Sequence, residues 1–127
     1  MDVQLVRGAG DVTGYGYSIA PRAQVLEGVP TGPAIQYDFG FHGLRYPSYP
    51  RDWDVQNSDQ RDTVALPVDG AVHHWSLVVE DRLVNASIDG RSIPGLIVSP
   101  ECSRSLFFRV WSAQVQFTGL AISKIHN

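Results

Sequence analysis

Acid–base, nucleophilic and metal chemistry all need carboxylates, imidazoles or thiols brought close together, and this sequence keeps them apart. Glycoside hydrolysis requires two carboxyl groups flanking the scissile bond. The glutamates are Glu27, Glu80 and Glu101, and no two of them are close in sequence. Glu80 and Asp81 fall at a hairpin tip, where charge is expected simply because water is there. His73 and His74 are adjacent. Neighbours on a strand point to opposite faces, so they cannot share one ion, and the pair reads as one residue flanking the core and one facing solvent. His42 and His126 show no metal-ligand spacing. The single cysteine, Cys102, excludes an internal disulfide and a multi-cysteine metal site, and no Gly-x-Ser-x-Gly marks a nucleophile. Asp52, Asp54, Asn57, Asp59 and Asp62 crowd one segment whose oxygens would suit calcium. Their spacing is not that of an EF-hand, and glycine is missing where that loop needs it. The expectation is no catalytic residue, no metal site and no cofactor, with calcium the one candidate ion.

Aromatic rings beside hydrogen-bonding groups are the more informative feature. Tyr37, Phe39, Phe41, Tyr46, Tyr49 and Trp53 fall within a short stretch that also carries Asp38, His42, Arg45, Arg51 and Asp52. Flat apolar rings can stack on the C–H face of a sugar while polar neighbours bond its hydroxyls. The plainer alternative is that several rings staple a long loop to a sheet. A second candidate lies near the C-terminus. A tight turn at Ser112-Ala113 would set Phe107, Arg109 and Trp111 opposite Thr118, Gln116 and Gln114. Such a face, half aromatic and half hydrogen-bonding, suits neither a pure core nor a pure solvent surface. The alternative is that Trp111 packs under a neighbouring loop with its N–H bonded locally.

These side chains must be positioned by strands. The 127 residues fit one domain, and 12 glycines and 8 prolines break the chain into short alternating runs with no helical periodicity. From Val72 to Ile93 the pattern is a hairpin turning at Asp81-Arg82. It pairs Val79 with Val84, Leu77 with Ala86 and Trp75 with Ile88 on one face, and a one-residue slip would break every pair. Ser76 with Ser87 and Val78 with Asn85 make the other face, and Asp89-Gly90 signals a type I′ turn. The proposed C-terminal hairpin pairs Val110 with Val115 and Phe108 with Phe117 in the core. A bulge near Thr118-Gly119 then restores the phase for Leu120 and Ile122. Earlier in the chain, Val3 and Leu5 begin a strand, and GYGYSIA and AIQYDF read as the next two. The segment 40–62, with Pro47 and Pro50, reads as a long functional or disordered loop, or one holding a short element.

Net charge is −3, from 10 basic and 13 acidic residues, which argues against a nucleic-acid partner. No apolar run approaches the roughly 20 residues of a membrane span. The N-terminal MDVQLVRGAG lacks the basic start and apolar stretch of a signal peptide, which fits a mature domain or a fragment. Asn85-Ala86-Ser87 matches the N-glycosylation sequon, which matters only in a eukaryotic secreted chain.

The series HHWSLVVEDRLVNASIDG, followed by SRSLFFRVWSAQVQFTGLAI, resembles the end of concanavalin A-like jelly rolls. Its closest likeness is to laminin-G-like domains and the bacterial 3-keto-disaccharide hydrolase family. The resemblance is carried by Trp75, Asp89-Gly90, Val110-Trp111 and Val115-Phe117, which are framework positions. It implies a single all-β domain over residues 1–127, an antiparallel β-sandwich of concanavalin A-like jelly-roll type. The chain starts later than such domains usually do, which leaves the presence of their first strand open. The glucanases of this superfamily carry a Glu-x-Asp-x-Glu type motif, which this sequence lacks. The expected function is therefore a non-catalytic, lectin-like carbohydrate-binding module for an oligo- or polysaccharide. Its expected ligand-binding residues are Arg109, Trp111, Gln116, Gln114, Tyr37, Asp38, Tyr46 and Trp53. The rival readings are a sugar-active hydrolase of the 3-keto-disaccharide type and a laminin-G-like protein-interaction or homo-oligomerisation domain. No nucleic-acid or membrane partner is expected.

Overall fold

Alternation of apolar and polar residues over Val72–Ile88 produces the expected hairpin in the computed structural model, which describes residues 1–8, 15–38, 43–52, 59–62, 70–98 and 105–122. Strand β8 (Val72–Glu80) pairs with β9 (Leu83–Ile88) in the register Trp75↔Ile88, Leu77↔Ala86 and Val79↔Val84. Asp89 and Gly90 both take positive φ (53° and 81°), as a type I′ turn requires, and lead into β10 (Arg91–Ile97). The described residues contain strands and turns and no helix.

Two antiparallel sheets result. The five-stranded sheet runs β10-β9-β8-β1-β12, where β1 is Asp2–Gly8 and β12 is Ala113–Thr118. The seven-stranded sheet is built on β2 (Gly16–Leu26), β3 (Val29–Pro33), β4 (Ile35–Asp38), β5 (Gly43–Tyr46), β6 (Ser48–Tyr49), β7 (Asp59–Asp62) and β11 (Ser105–Trp111). Strand β2 has β3 and β4 as partners, and also pairs with β11. Strands β3–β4 and β5–β6 are each nearly continuous, because Gly32↔Tyr49 and Gln36↔Arg45 keep one register across the break at Pro47. The sheets pack face to face as a β-sandwich. Val3 and Leu5 of β1, Trp75 of β8 and Val84, Ala86 and Ile88 of β9 meet Tyr17, Ile19, Ile35, Tyr37 and Leu44 of the opposite sheet. Trp75, 1% exposed, donates its Nε1–H to the Tyr17 hydroxyl at 3.0 Å and packs edge-on against that ring. Burial pushes the Tyr17 phenol pKa upward, so it remains a neutral acceptor.

Three expectations change, and one open alternative is decided. Ser112 does not close a hairpin: β11 pairs with β2 in one sheet and β12 with β1 in the other, so the chain crosses between sheets at Ser112 (φ 49°). Phe108 and Phe117 still meet, with ring centroids 4.6 Å apart, but across the core instead of along a ladder. Alternation tells each strand which face is inner, not which strand is its partner. Strand β12 ends at Thr118, and Leu120 and Ile122 are 52% and 80% exposed, so no bulge returns them to the core. Within 40–62, read as a functional or disordered loop or one holding a short element, the described residues include the short strands β5, β6 and β7. Finally, β3 follows a turn at Glu27-Gly28, where both residues have positive φ, and completes a hairpin with β2.

Candidate functional site

Strand alternation sends every second residue of the seven-stranded sheet away from the core, and this outer face is unusually polar for its depth. Strand β4 buries Ile35 and Tyr37 in the core, so Gln36 and Asp38 point outward, yet both are wholly buried. Ser18 of β2, equally buried, lies beside them. The register makes two transverse rows. One runs Arg109, Ser18, Gln36, Arg45; the next runs Trp111, Gly16, Asp38, Gly43.

Tyr49 covers the first row. Its hydroxyl donates to Gln36 Oε1 at 2.8 Å and lies 2.7 Å from Ser18 Oγ, which then donates to it. With Oε1 occupied, the buried Nε2 of Gln36 has no hydrogen-bond partner among the described residues. The turn after β6 fastens Tyr49 in place. Asp52 accepts from the Ser48 amide at 2.8 Å and pairs with Arg51 at 2.8 Å. The Arg51 guanidinium, with the Ser48 amide, holds the Asp52 carboxyl below the usual carboxylate range. Small residues on β2 let large neighbours lean inward. A Cβ on Gly16 would stand 3.1 Å from Cη2 of Trp111, so that indole lies over Gly16. The guanidinium of Arg109 lies over two rings, 5.5 Å from the Tyr49 centroid and 5.0 Å from that of Trp111. Phe107 extends the series, edge-on to Tyr49 at 6.3 Å. Phe107, Arg109 and Trp111 are half-buried and retain surface toward solvent.

Of the expected site residues, Arg109, Trp111 and Asp38 come together on this face. Gln114 and Gln116 lie on β12 in the other sheet, exposed to solvent on the far side of the sandwich, because the expected hairpin does not form. Tyr37 and Tyr46 are core residues; the Tyr46 hydroxyl donates to the Pro94 carbonyl at 2.6 Å. Trp53 lies outside the described residues, as do Phe39 and Phe41. Of the acidic segment, Asp52 is engaged by Arg51 and Ser48, while Asp54, Asn57 and the side chains of Asp59 and Asp62 are outside what is described. The sequence pattern drew attention to Tyr49 and Arg45 only as members of the aromatic stretch and gave no place to Ser18 and Gln36. The alternation of Ile35, Gln36, Tyr37 and Asp38 carried the signal for Gln36, because it sets Gln36 and Asp38 on one face.

His73 and His74 separate as adjacent strand residues should. His73 Nδ1 lies 2.6 Å from Asp89 Oδ2, while the more exposed His74 lies 2.8 Å from Asp2. Among the described residues, no group of three His, Cys, Asp or Glu could hold a metal ion.

Comparison with protein-family models, with curated proteins and with solved structures returns no match. The functional reading therefore stands on residues and geometry.

Proposed function

We propose that the protein is a carbohydrate-binding module of lectin-like type, and that the outer face of the seven-stranded sheet is its site. One observation carries the reading: a guanidinium within cation–π distance of both Tyr49 and Trp111, in a row with the buried polar groups of Ser18 and Gln36. Sugar recognition uses a ring that covers an apolar C–H face together with oriented donors and acceptors. Trp111 supplies the ring, and the guanidinium of Arg109, within cation–π distance of both Tyr49 and Trp111, supplies the polar neighbour. The jelly-roll topology and the likeness to laminin-G-like domains belong to this proposal, with framework residues such as Trp75 and Asp89-Gly90 as their support.

A glycan array followed by calorimetric titration tests it, with Trp111→Ala and Arg109→Met as variants and melting curves as controls. The expected result is saccharide binding by the parent and loss of most of it in folded Trp111→Ala, because a few aromatic anchors dominate small interfaces. Unchanged binding by that folded variant, or no saccharide bound by the parent, overturns the proposal.

A further inference from the structure

The two edges of the five-stranded sheet are built differently, and one of them is open to a second chain. We propose that the protein self-associates as a two-fold dimer in which β12 pairs antiparallel with β12 of another copy, joining two five-stranded sheets into one.

Strand β12 stands at the end of its sheet. Among the described residues β1 is its one strand partner, so the backbone N–H and C=O groups along its other side have no ladder. An exposed row of such groups is a template for another strand, and proteins that stay monomeric blunt it with charge, proline or a bulge. The far edge of the same sheet is blunted in this way. Strand β10 carries Arg91 and Pro94, and its register with β9 shifts between Ile93 and Leu96. Strand β12 reads Ala113-Gln114-Val115-Gln116-Phe117-Thr118, with no charge and no proline. The shift in its ladder with β1 puts the extra residue, Val6, on β1, so β12 itself is unbroken. Strand β11, which pairs with β2, differs in carrying the charge of Arg109.

The core is also incompletely covered on this side. Val115 and Phe117 pack against the core yet are only partly buried, where Val84 and Ile88 of β9 are 0% and 2% exposed. Val110, Leu120 and Ile122, which flank β12 in the chain, are 39%, 52% and 80% exposed. Apolar surface gathered at an unpaired edge marks a place of association.

The occupant is a second copy because the strand is complementary to itself. A two-fold axis normal to the sheet brings like faces together. Centred on Gln116, it sets that residue opposite its own copy, Gln114 opposite Thr118 and Val115 opposite Phe117. Centred on Val115, it sets Gln114 opposite Gln116 and Val115 opposite itself. In both registers amides meet amides or a hydroxyl on the outer face, while apolar pairs extend the inner one. Each chain has a net charge of −3, but β12 brings none of it to the contact. Both copies use the same edge, so the assembly closes at two. The axis also leaves the two seven-stranded sheets side by side with their outer faces turned the same way. On the carbohydrate reading above, both Trp111 faces would then meet one polymer.

Sedimentation velocity on the whole chain, from about 1 to about 100 µM, tests the pairing. The expected species at the upper end has twice the 14.0 kDa of one chain and dissociates on dilution. Gln114→Lys/Gln116→Lys sets like charges opposite each other in either register, at exposed positions where the melt should stay cooperative. It should weaken association at least about tenfold in about 0.05 M salt. Gln114→Glu/Gln116→Glu should do the same, and mixing the two variants should restore the dimer. A parent that stays monomeric at the highest concentration overturns the proposal. So do variants that dimerise alone as well as the parent, or a mixture that remains monomeric. None of these readouts involves a saccharide, so the dimer and the carbohydrate reading stand or fall separately.

Discussion

Two tryptophans of identical chemistry occupy opposite faces of the sandwich's sheets, and their substitution should separate structure from recognition. Trp75 fills the core and bonds Tyr17. Trp75→Ala should cost about 3–5 kcal/mol, a large share of a small domain's stability, and a melting curve should show most of the protein unfolded. Trp111 is half-buried on the outer face, and Trp111→Ala should cost about 1 kcal/mol and leave the melt cooperative. Gly16 is a third residue whose identity follows from packing. A Cβ there would lie 2.1 Å from the Tyr37 carbonyl oxygen as well as against Trp111. Gly16→Ala should destabilise by about 1–3 kcal/mol in chemical denaturation, because the backbone of β4 has to move. A neutral effect would show that the close approach of β2 and β4 at this point is wrong.

At the scale of elements, the tie between β8 and the β9–β10 turn combines the Asp89 amide, which donates to the His74 carbonyl at 2.8 Å, with the Asp89 carboxylate. Asp89 accepts from the His74 amide at 2.8 Å and pairs with His73, whose hydrogen bond is the main cause holding the Asp89 pKa below its usual value. A carboxyl with a lowered folded pKa adds stability above its unfolded value, about 3.9, and loses it as pH falls through the folded value. Asp89→Asn should therefore lower the melting temperature near pH 7 and matter progressively less below about pH 4. The Asp89 side chain is 48% exposed, so solvent screening keeps the effect under about 1 kcal/mol, a few degrees at most. A difference that grows on acidification would contradict the assigned role. The same turn shows why this hairpin was legible. Asp89-Gly90 permits two positive φ values, and the apolar pairs on β8 and β9 admit one register.

Across the whole molecule, sequence-distant pairings close the sandwich. Val3 lies between Phe117 and His73 in register, so β1 joins the two ends of the chain to its middle. Such non-local strand pairing should make folding slow, on the order of milliseconds to seconds by stopped-flow tryptophan fluorescence, and microsecond folding would argue against this topology. What the sequence by itself determined was local. Alternation identified β1, β2, β4, β8, β9, β11 and β12, it placed Trp75 in the core, and it set Arg109 and Trp111 on one face of β11. Those properties depend on side-chain periodicity within a few residues, which any reader of the chain possesses. Strand partners were a tertiary decision. The alternation of β11 and β12 would fit a hairpin as well as it fits the pairs Val110↔Tyr17 and Val115↔Leu5 of two separate sheets, and the choice sets β11 beside β2 and β12 beside β1. That choice removed Gln114 and Gln116 from the neighbourhood of Trp111 and brought Ser18, Gln36 and Tyr49 to it. A site assembled from β2, β4, β6 and β11 has no spacing in sequence, because its geometry is a property of the sheet and not of any one strand.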